Sequence, residues 1–232
     1  MVRFLELMRL LAIFALAAFT LASCSSNGTD SVISAVVDNI GSGNEAEAVQ
    51  DPAESITRAQ IDSLGVALIR VRERSTGEQK LLVAFRKSGP QITYVLRSER
   101  RLVLHGGLIQ STFGFADNLA PLGVSDHDPI AFPRPIAEWP QTIVRDYDLS
   151  NRGVGMLTRV ECKFIPGPIG VLDIVGRELV VQTVGEECAG GGIEFANRYD
   201  VDPKNGYIWQ SEQWTGATQD ALIYEVLEPL EE

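Results

Sequence analysis

Histidine, cysteine and positive charge are scarce in this sequence. Its 232 residues include 2 histidines and 3 cysteines, and 20 lysines and arginines stand against 31 aspartates and glutamates. With so few histidines and cysteines, the sequence cannot form most histidine-rich metal sites or a dense disulfide scaffold. The formal net charge of −11 argues against a nucleic-acid-binding protein, which needs a basic face. We therefore expect no metal site and no nucleic-acid partner.

Motifs of common enzyme classes are also missing from the sequence. It contains no Gly-x-Ser-x-Gly, no phosphate-binding glycine loop, no His-Glu-x-x-His and no Cys-x-x-Cys. The cluster Asp126-His127-Asp128 has ligand-type side chains, but adjacent residues rarely converge on one ion, which favours a solvated acidic loop. His105, before Gly106-Gly107, is typical of a hairpin corner or bulge and has no recognisable partner for general base chemistry. The sequence predicts no catalytic residue and no cofactor.

The amino terminus carries a short apolar run behind positive charge. Arg3 and Arg9 precede twelve uncharged residues, 10–21. As a helix this run would span about 18 Å, which is short of the roughly 30 Å hydrocarbon core of a bilayer. Residues 1–23 are therefore interpreted as a signal peptide.

Cys24 follows small residues at the end of that run, in Leu21-Ala-Ser-Cys24. This pattern resembles the bacterial lipobox, in which cleavage before the cysteine leaves it acylated, and several acyl chains give durable anchoring. An ordinary signal peptide with a chance cysteine is the alternative. Because Ser25 follows and not aspartate, resemblance to sorted bacterial lipoproteins favours the outer membrane, with the body of the protein in the periplasm.

Residues 24–52 are predicted to form a lipidated tether that contains one short helix. Apolar residues between Val32 and Ile40 recur at helical spacing, and Gly41 ends the pattern. A second short helix is predicted from Pro52 to Leu64, with Gly65 after it.

The remaining sequence, residues 53–232, is predicted to be a single all-β domain. Short runs of alternating apolar residues separated by turns indicate an antiparallel meander of about ten or eleven strands, forming a sandwich or an open barrel. One turn, Asp202-Pro-Lys-Asn-Gly206, joins two strands as a hairpin. The proline-rich stretch 117–141 interrupts the pattern and is interpreted as a long connection or an irregular edge strand, which could divide the strands into two sheets.

Two cysteines remain after Cys24. Cys162 lies on the apolar face of its predicted strand, and Cys188 follows the predicted strand 177–184. In an oxidising compartment a disulfide between them is favoured over two buried thiols.

One strand near the carboxyl end combines aromatic and polar side chains. Alternation over 207–214 places Tyr207, Trp209, Ser211 and Gln213 on one face. Aromatic rings beside hydroxyl and amide groups suit the binding of sugars, so these four are candidate ligand-binding residues. The alternative is that Tyr207 and Trp209 belong to the core, with Ser211 and Gln213 at the open end of the strand.

Two segments carry a resemblance to a known family. They are residues 101–119, RLVLHGGLIQSTFGFADNL, and residues 199–214, YDVDPKNGYIWQSEQW, with Glu225-Val-Leu-Glu-Pro229 after the second. They are similar to segments of the YjbF-type, or group 4 capsule, lipoproteins. The resemblance implies an all-β lipoprotein that accompanies polysaccharide secretion machinery and has no known catalytic residue. We expect a non-enzymatic, outer-membrane-anchored factor in exopolysaccharide or capsule assembly or export, with polysaccharide and export proteins as partners. The alternatives are a polysaccharide-modifying lyase or hydrolase and a structural envelope lipoprotein.

Overall fold

The computed structural model describes residues 52–96, 99–116, 118–119, 123–148, 157–216 and 220–230. Within them the chain forms two short helices, α1 (Pro52–Ser55) and α2 (Arg58–Leu64), a 3-10 turn (Ile136–Glu138) and eleven strands. The strands are β1 (Leu68–Glu73), β2 (Gln79–Ser88), β3 (Gln91–Leu96), β4 (Arg100–His105), β5 (Leu108–Phe113), β6 (Thr142–Asp148), β7 (Leu157–Ile174), β8 (Arg177–Gly190), β9 (Ile193–Val201), β10 (Ile208–Gly216) and β11 (Asp220–Glu228).

All eleven strands belong to one antiparallel sheet, in the order β5-β4-β3-β2-β1-β11-β10-β9-β8-β7-β6. Each strand pairs with the next strand along the chain, except that β5 and β6 are the two edges of the sheet and do not pair. One further pairing joins β1 to β11, with Arg70 opposite Glu225. The sheet curls into a half-barrel, as the cumulative twist of many strands favours. The prediction of an all-β antiparallel meander is confirmed, in its open-barrel form.

Alternation along the strands decides which side chains face the core. In β7, Thr158, Val160, Cys162 and Phe164 are buried, and the residues between them are exposed. Neighbouring residues of one strand accordingly belong to different clusters. Leu82 lies in the large cluster on the inner face of the curl, whereas Val83 lies in a smaller cluster on the outer face.

The predicted helix over 52–64 is divided in two. Thr57 caps α2: the backbone N–H of Gln60 donates to the Thr57 side chain, and the backbone N–H of Thr57 donates to Gln60 Oε1 at 2.8 Å. This capping box starts a new helix inside the predicted one. Gly65, with φ of 61°, ends α2 as expected. Among the residues that the structure describes, no helix is long and apolar enough to cross a membrane.

The connection from β5 to β6, residues 114–141, joins the two edge strands of the sheet. It fills part of the inner cluster, because Ile130 and Ala131 are fully buried there. The backbone N–H of Gly107 donates to the Ile130 carbonyl at 2.8 Å. Gly106 permits this close approach, since a Cβ at that position would lie 2.4 Å from the Ala131 carbonyl oxygen. The proline-rich stretch therefore does not divide the strands into two sheets.

Candidate functional site

A cavity of about 290 Å³ lies at the end of the sheet where the β2–β3, β4–β5 and β9–β10 turns meet. Three tyrosines line it: Tyr94 from β3, Tyr207 from the turn before β10, and Tyr224 from β11. The backbone of Gly106 and Gly107 supplies another part of the wall. We call this site the tyrosine cavity.

The phenols of the tyrosine cavity stay protonated near neutral pH. Burial raises the pKa of Tyr207 to about 12, and Glu228 also raises it while Arg177 lowers it. Burial likewise raises the pKa of Tyr94 and of Tyr224 well above the usual value. The cavity therefore offers neutral phenol groups, which act as hydrogen-bond donors and acceptors and as apolar ring faces, not as bases.

A buried hydrogen-bond network lies next to the tyrosine cavity and shares Gly107 with it. The Gly107 carbonyl accepts bonds of 2.8 Å from Gln213 Nε2 and from the Tyr224 hydroxyl. Gln213 also donates to Ser211 Oγ at 2.9 Å, and its Oε1 accepts from the backbone N–H of Ile109 at 3.0 Å. Gln213 thus satisfies backbone groups of the β4–β5 hairpin that would otherwise be buried without partners.

The four candidate residues of strand β10 do not form one face. A bulge between Ile208 and Gln210 shifts the alternation, so the inward positions are Ile208 before it and Ser211 and Gln213 after it. Ser211 and Gln213 are each 2% exposed.

Tyr207 and Trp209 are half-buried, with ring centres 4.7 Å apart. The four residues therefore do not share one exposed face, and Ser211 and Gln213 lie in the interior and not at an open strand end. A binding role stays a prediction for Tyr207, the one of the four that lines the tyrosine cavity.

A second buried cluster is built around Arg145 of β6. Its guanidinium donates to both carboxylate oxygens of Asp128, and Nη1 donates to Glu186 Oε2 at 2.9 Å. The hydroxyl of Tyr199 and the amide of Asn197 donate to the same Glu186 oxygen, each at 2.8 Å. Burial alone would lower the pKa of Arg145, but Glu186 and Asp128 raise it well above its usual value. The guanidinium is therefore charged.

This arginine cluster revises the interpretation of residues 126–128. Asp128 is not part of a solvated loop: it is 1% exposed and holds the β5–β6 connection to strand β6 through Arg145. The predicted hairpin corner at His105 is confirmed, since His105 lies opposite Leu108 across the Gly106-Gly107 turn. The His105 ring packs edge-on against Phe132, with centres 4.8 Å apart.

Cys162 and Cys188 lie directly opposite each other on β7 and β8, and their sulfurs are bonded at 2.05 Å. Strand β8 extends to Gly190, so Cys188 lies within it and not after it. The Glu186 carboxylate is within 4.8 Å of both sulfurs, but zinc binds cysteine as a thiolate, and a disulfide supplies none. Cys24 and the helix and tether predicted before residue 52 fall outside the described residues.

Comparison with known sequences decides the family. Residues 29–227 match the family described as "Group 4 capsule polysaccharide lipoprotein gfcB, YjbF". The chain belongs to the YjbF family. The resemblance seen in residues 101–119 and 199–214 is thereby confirmed, as is the expectation of a capsule-related lipoprotein. No curated protein matches this YjbF family member significantly.

A solved structure supports the fold of this YjbF family member. The crystal structure of the hypothetical lipoprotein YmcC from Escherichia coli (K12) is similar, with a TM-score of 0.66 and 20% sequence identity. The similarity covers 80% of this chain and 100% of the YmcC chain. At this identity the likeness shows a shared fold.

Sequence reasoning missed the arginine cluster, although the sequence holds a signal for it. Arg145 stands in phase with Ile143 and Tyr147 on the apolar face of its strand, and Glu186 stands in phase with Val184 and Cys188. Charged residues in inward positions of two strands indicate a buried ion pair, because an unpaired charge in a core is very costly.

Proposed function

We propose that this lipoprotein is anchored in the outer membrane and assists capsule or exopolysaccharide assembly or export by binding, without catalysis. The match of residues 29–227 to a capsule polysaccharide lipoprotein family carries the proposal. The lipobox-like Cys24, followed by Ser25, supports anchoring at the outer membrane.

The tyrosine cavity supports a binding role. Its described lining consists of tyrosines, aliphatic residues, glycines, prolines and one lysine. Glycoside hydrolysis generally uses a pair of carboxylates, whereas phenol rings and hydroxyls suit contact with sugar rings and their hydroxyl groups. This lining favours binding over hydrolysis.

The cellular test uses a strain that lacks the gene, complemented with the wild-type protein or with Tyr207→Leu. We expect less polysaccharide at the surface of the deletion strain, full recovery with wild type and partial recovery with Tyr207→Leu. Separation of inner and outer membranes should place the wild-type protein in the outer fraction. Normal surface polysaccharide in the deletion strain would contradict the proposal and favour a structural envelope lipoprotein.

The enzyme alternative is tested on purified mature protein. We expect the chain length of the cognate polysaccharide, measured by size-exclusion chromatography, to stay constant during incubation. Shortened chains with new reducing ends would indicate a hydrolase, and shortened chains with unsaturated ends would indicate a lyase.

A further inference from the structure

A groove of about 440 Å³ crosses the outer face of strands β2 to β5. The strand register arranges the side chains that line this groove in two rows. In one row Arg86 lies opposite Thr93, followed across the sheet by Val103 and Ser111, and in the other Val95 is followed by Arg101 and Phe113. Its volume falls within the roughly 300–1,000 Å³ of typical ligand pockets. We call it the outer groove.

Two phenylalanines of the outer groove are exposed to solvent. Phe85 is 54% exposed and Phe113 is 49% exposed. A bulge in β2 between Ala84 and Arg86 interrupts the alternation at Phe85. Aromatic rings that are half in water, and that share a groove with polar groups, can bind a ligand that has both apolar and polar surfaces.

Two arginines of the outer groove are available to a ligand. Arg86 and Arg101 are exposed, and within the described residues neither forms an ion pair with a carboxylate. The Arg101 guanidinium lies 5.6 Å from the centre of the Phe113 ring, in a cation–π contact. Arg100, at the rim, differs because it pairs with Glu73 and Glu78. In a protein with a net charge of −11, two arginines that form no ion pair with any described carboxylate thus lie beside two exposed aromatic rings.

We propose that the outer groove binds a segment of a polysaccharide that bears carboxylate groups. The rings of Phe85 and Phe113 contact the apolar faces of sugar rings, and Arg86 and Arg101 donate paired hydrogen bonds to the carboxylates. The hydroxyls of Thr93 and Ser111 contact sugar hydroxyls. This inference rests on the proposed function, which identifies the ligand as a polysaccharide. The two arginines of the outer groove indicate that this polysaccharide is anionic.

The binding test uses the complete mature chain, with hexagalacturonate as the anionic probe and maltohexaose as the uncharged probe. We expect hexagalacturonate to bind, and each of Arg86→Gln and Arg101→Gln to weaken binding about tenfold, as the loss of a hydrogen bond to a charged group does. Maltohexaose should bind at least tenfold more weakly than hexagalacturonate.

Arg72→Gln is the matched control. Arg72 is an exposed arginine on β1 and lies outside the outer groove, so the substitution removes the same charge without touching the groove and should leave binding unchanged. Thermal unfolding of all three variants should match wild type, because each side chain is exposed.

Several results would overturn the proposal: no binding of hexagalacturonate at millimolar concentration, equal binding by wild type and both groove variants, or equal weakening by Arg72→Gln. Arginine-dependent binding of the mature protein to anionic phospholipid vesicles, with none to hexagalacturonate, would assign the groove to a membrane surface and also overturn it.

A cellular comparison separates this inference from the proposed function. If the gene deletion lowers surface polysaccharide and the double variant Arg86→Gln/Arg101→Gln restores it fully, the outer groove is not the site, although the proposed function stands. If the deletion has no effect on polysaccharide, the proposed function itself fails. We expect the double variant to restore export only in part.

Discussion

Arg145 and Asp128 form a two-pronged ion pair in the interior, with Nε 2.7 Å from Oδ2 and Nη2 3.1 Å from Oδ1. The two side chains are 3% and 2% exposed. Asp128 belongs to the β5–β6 connection and Arg145 to the edge strand β6, so the pair holds the connection against the sheet. Arg145 also forms an ion pair with Glu186 on its other side, so its buried positive charge lies between two carboxylates.

Removal of Arg145 should be strongly destabilising. Arg145→Met leaves Asp128 and Glu186 buried without their cation, and we expect the free energy of unfolding to fall by about 3–5 kcal/mol. Asp128→Asn should lower the free energy of unfolding by less, because Arg145 keeps its ion pair with Glu186. Urea denaturation measures both. Arg159→Ala is the control: its ion pair with Asp146 is exposed, and its loss should not be measurable. Equal stability of Arg145→Met and wild type would contradict the buried cluster.

The disulfide should contribute measurably to stability. Cys162 and Cys188 are 26 residues apart, and on the chain-entropy account a loop of that size stabilises the fold by about 3–4 kcal/mol. The double variant Cys162→Ala/Cys188→Ala should lose about that amount. Alkylation of periplasmic protein under denaturing, non-reducing conditions should find no free thiol at these positions, and two free thiols would exclude the bond.

Gln213→Ala should destabilise the β4–β5 hairpin. The substitution leaves the backbone N–H of Ile109 buried without its acceptor, which costs about 1–3 kcal/mol. Gln79→Ala is the matched control, because the Gln79 amide reaches Glu54 only at 3.5 Å and near the surface. If Gln213→Ala instead keeps full stability but impairs polysaccharide export, Gln213 has the binding role that the sequence suggested.

His105 should make stability depend on pH. Burial lowers its pKa in the folded protein, although Asp128 raises it in part. The unfolded chain, with a histidine pKa of about 6.5, therefore takes up a proton first as pH falls. Stability present above about pH 6.5 is lost as the pH falls from there toward the pKa of the folded state. Between about pH 7.5 and about pH 5.5, wild type should lose more free energy of unfolding than His105→Gln. Equal losses would show that His105 is not responsible.

Cys24→Ala should abolish lipidation. On the lipobox hypothesis Cys24 is the acylated residue. Labelled palmitate should therefore be incorporated into the wild-type protein and into the control variant Cys162→Ala, but not into Cys24→Ala. Label in the Cys24→Ala protein would show that the anchor is elsewhere.

Local features of the sequence predicted most of the strands. Alternation fixed the inward face of β7, and the Asp202–Gly206 turn joined β9 to β10 as expected. These signals depend on neighbouring residues, so they can be read without knowledge of the rest of the chain.

The features that the sequence did not reveal depend on distant contacts or on a single extra residue. The bulge after Ile208 shifts the alternation of β10 by one residue, so the residues after it face inward at positions that the alternation before it would place outward. The tyrosine cavity brings together β3, β11 and the turn before β10. In the strand order β2 and β1 lie between β3 and β11, so these residues meet only because the sheet curls. The same order explains why a proline-rich segment that looks like a solvated loop becomes part of the interior.

The pairing of β1 with β11 has a consequence for biosynthesis. Arg70 on β1 hydrogen-bonds to Glu225 on β11, 155 positions later, so this pairing in the middle of the sheet cannot form until nearly the whole chain has been synthesised. Until β11 is available one side of β1 has no partner strand, and an open strand edge is a template for aggregation. The edge of β1 therefore stays unpaired until the last strand of the sheet is available.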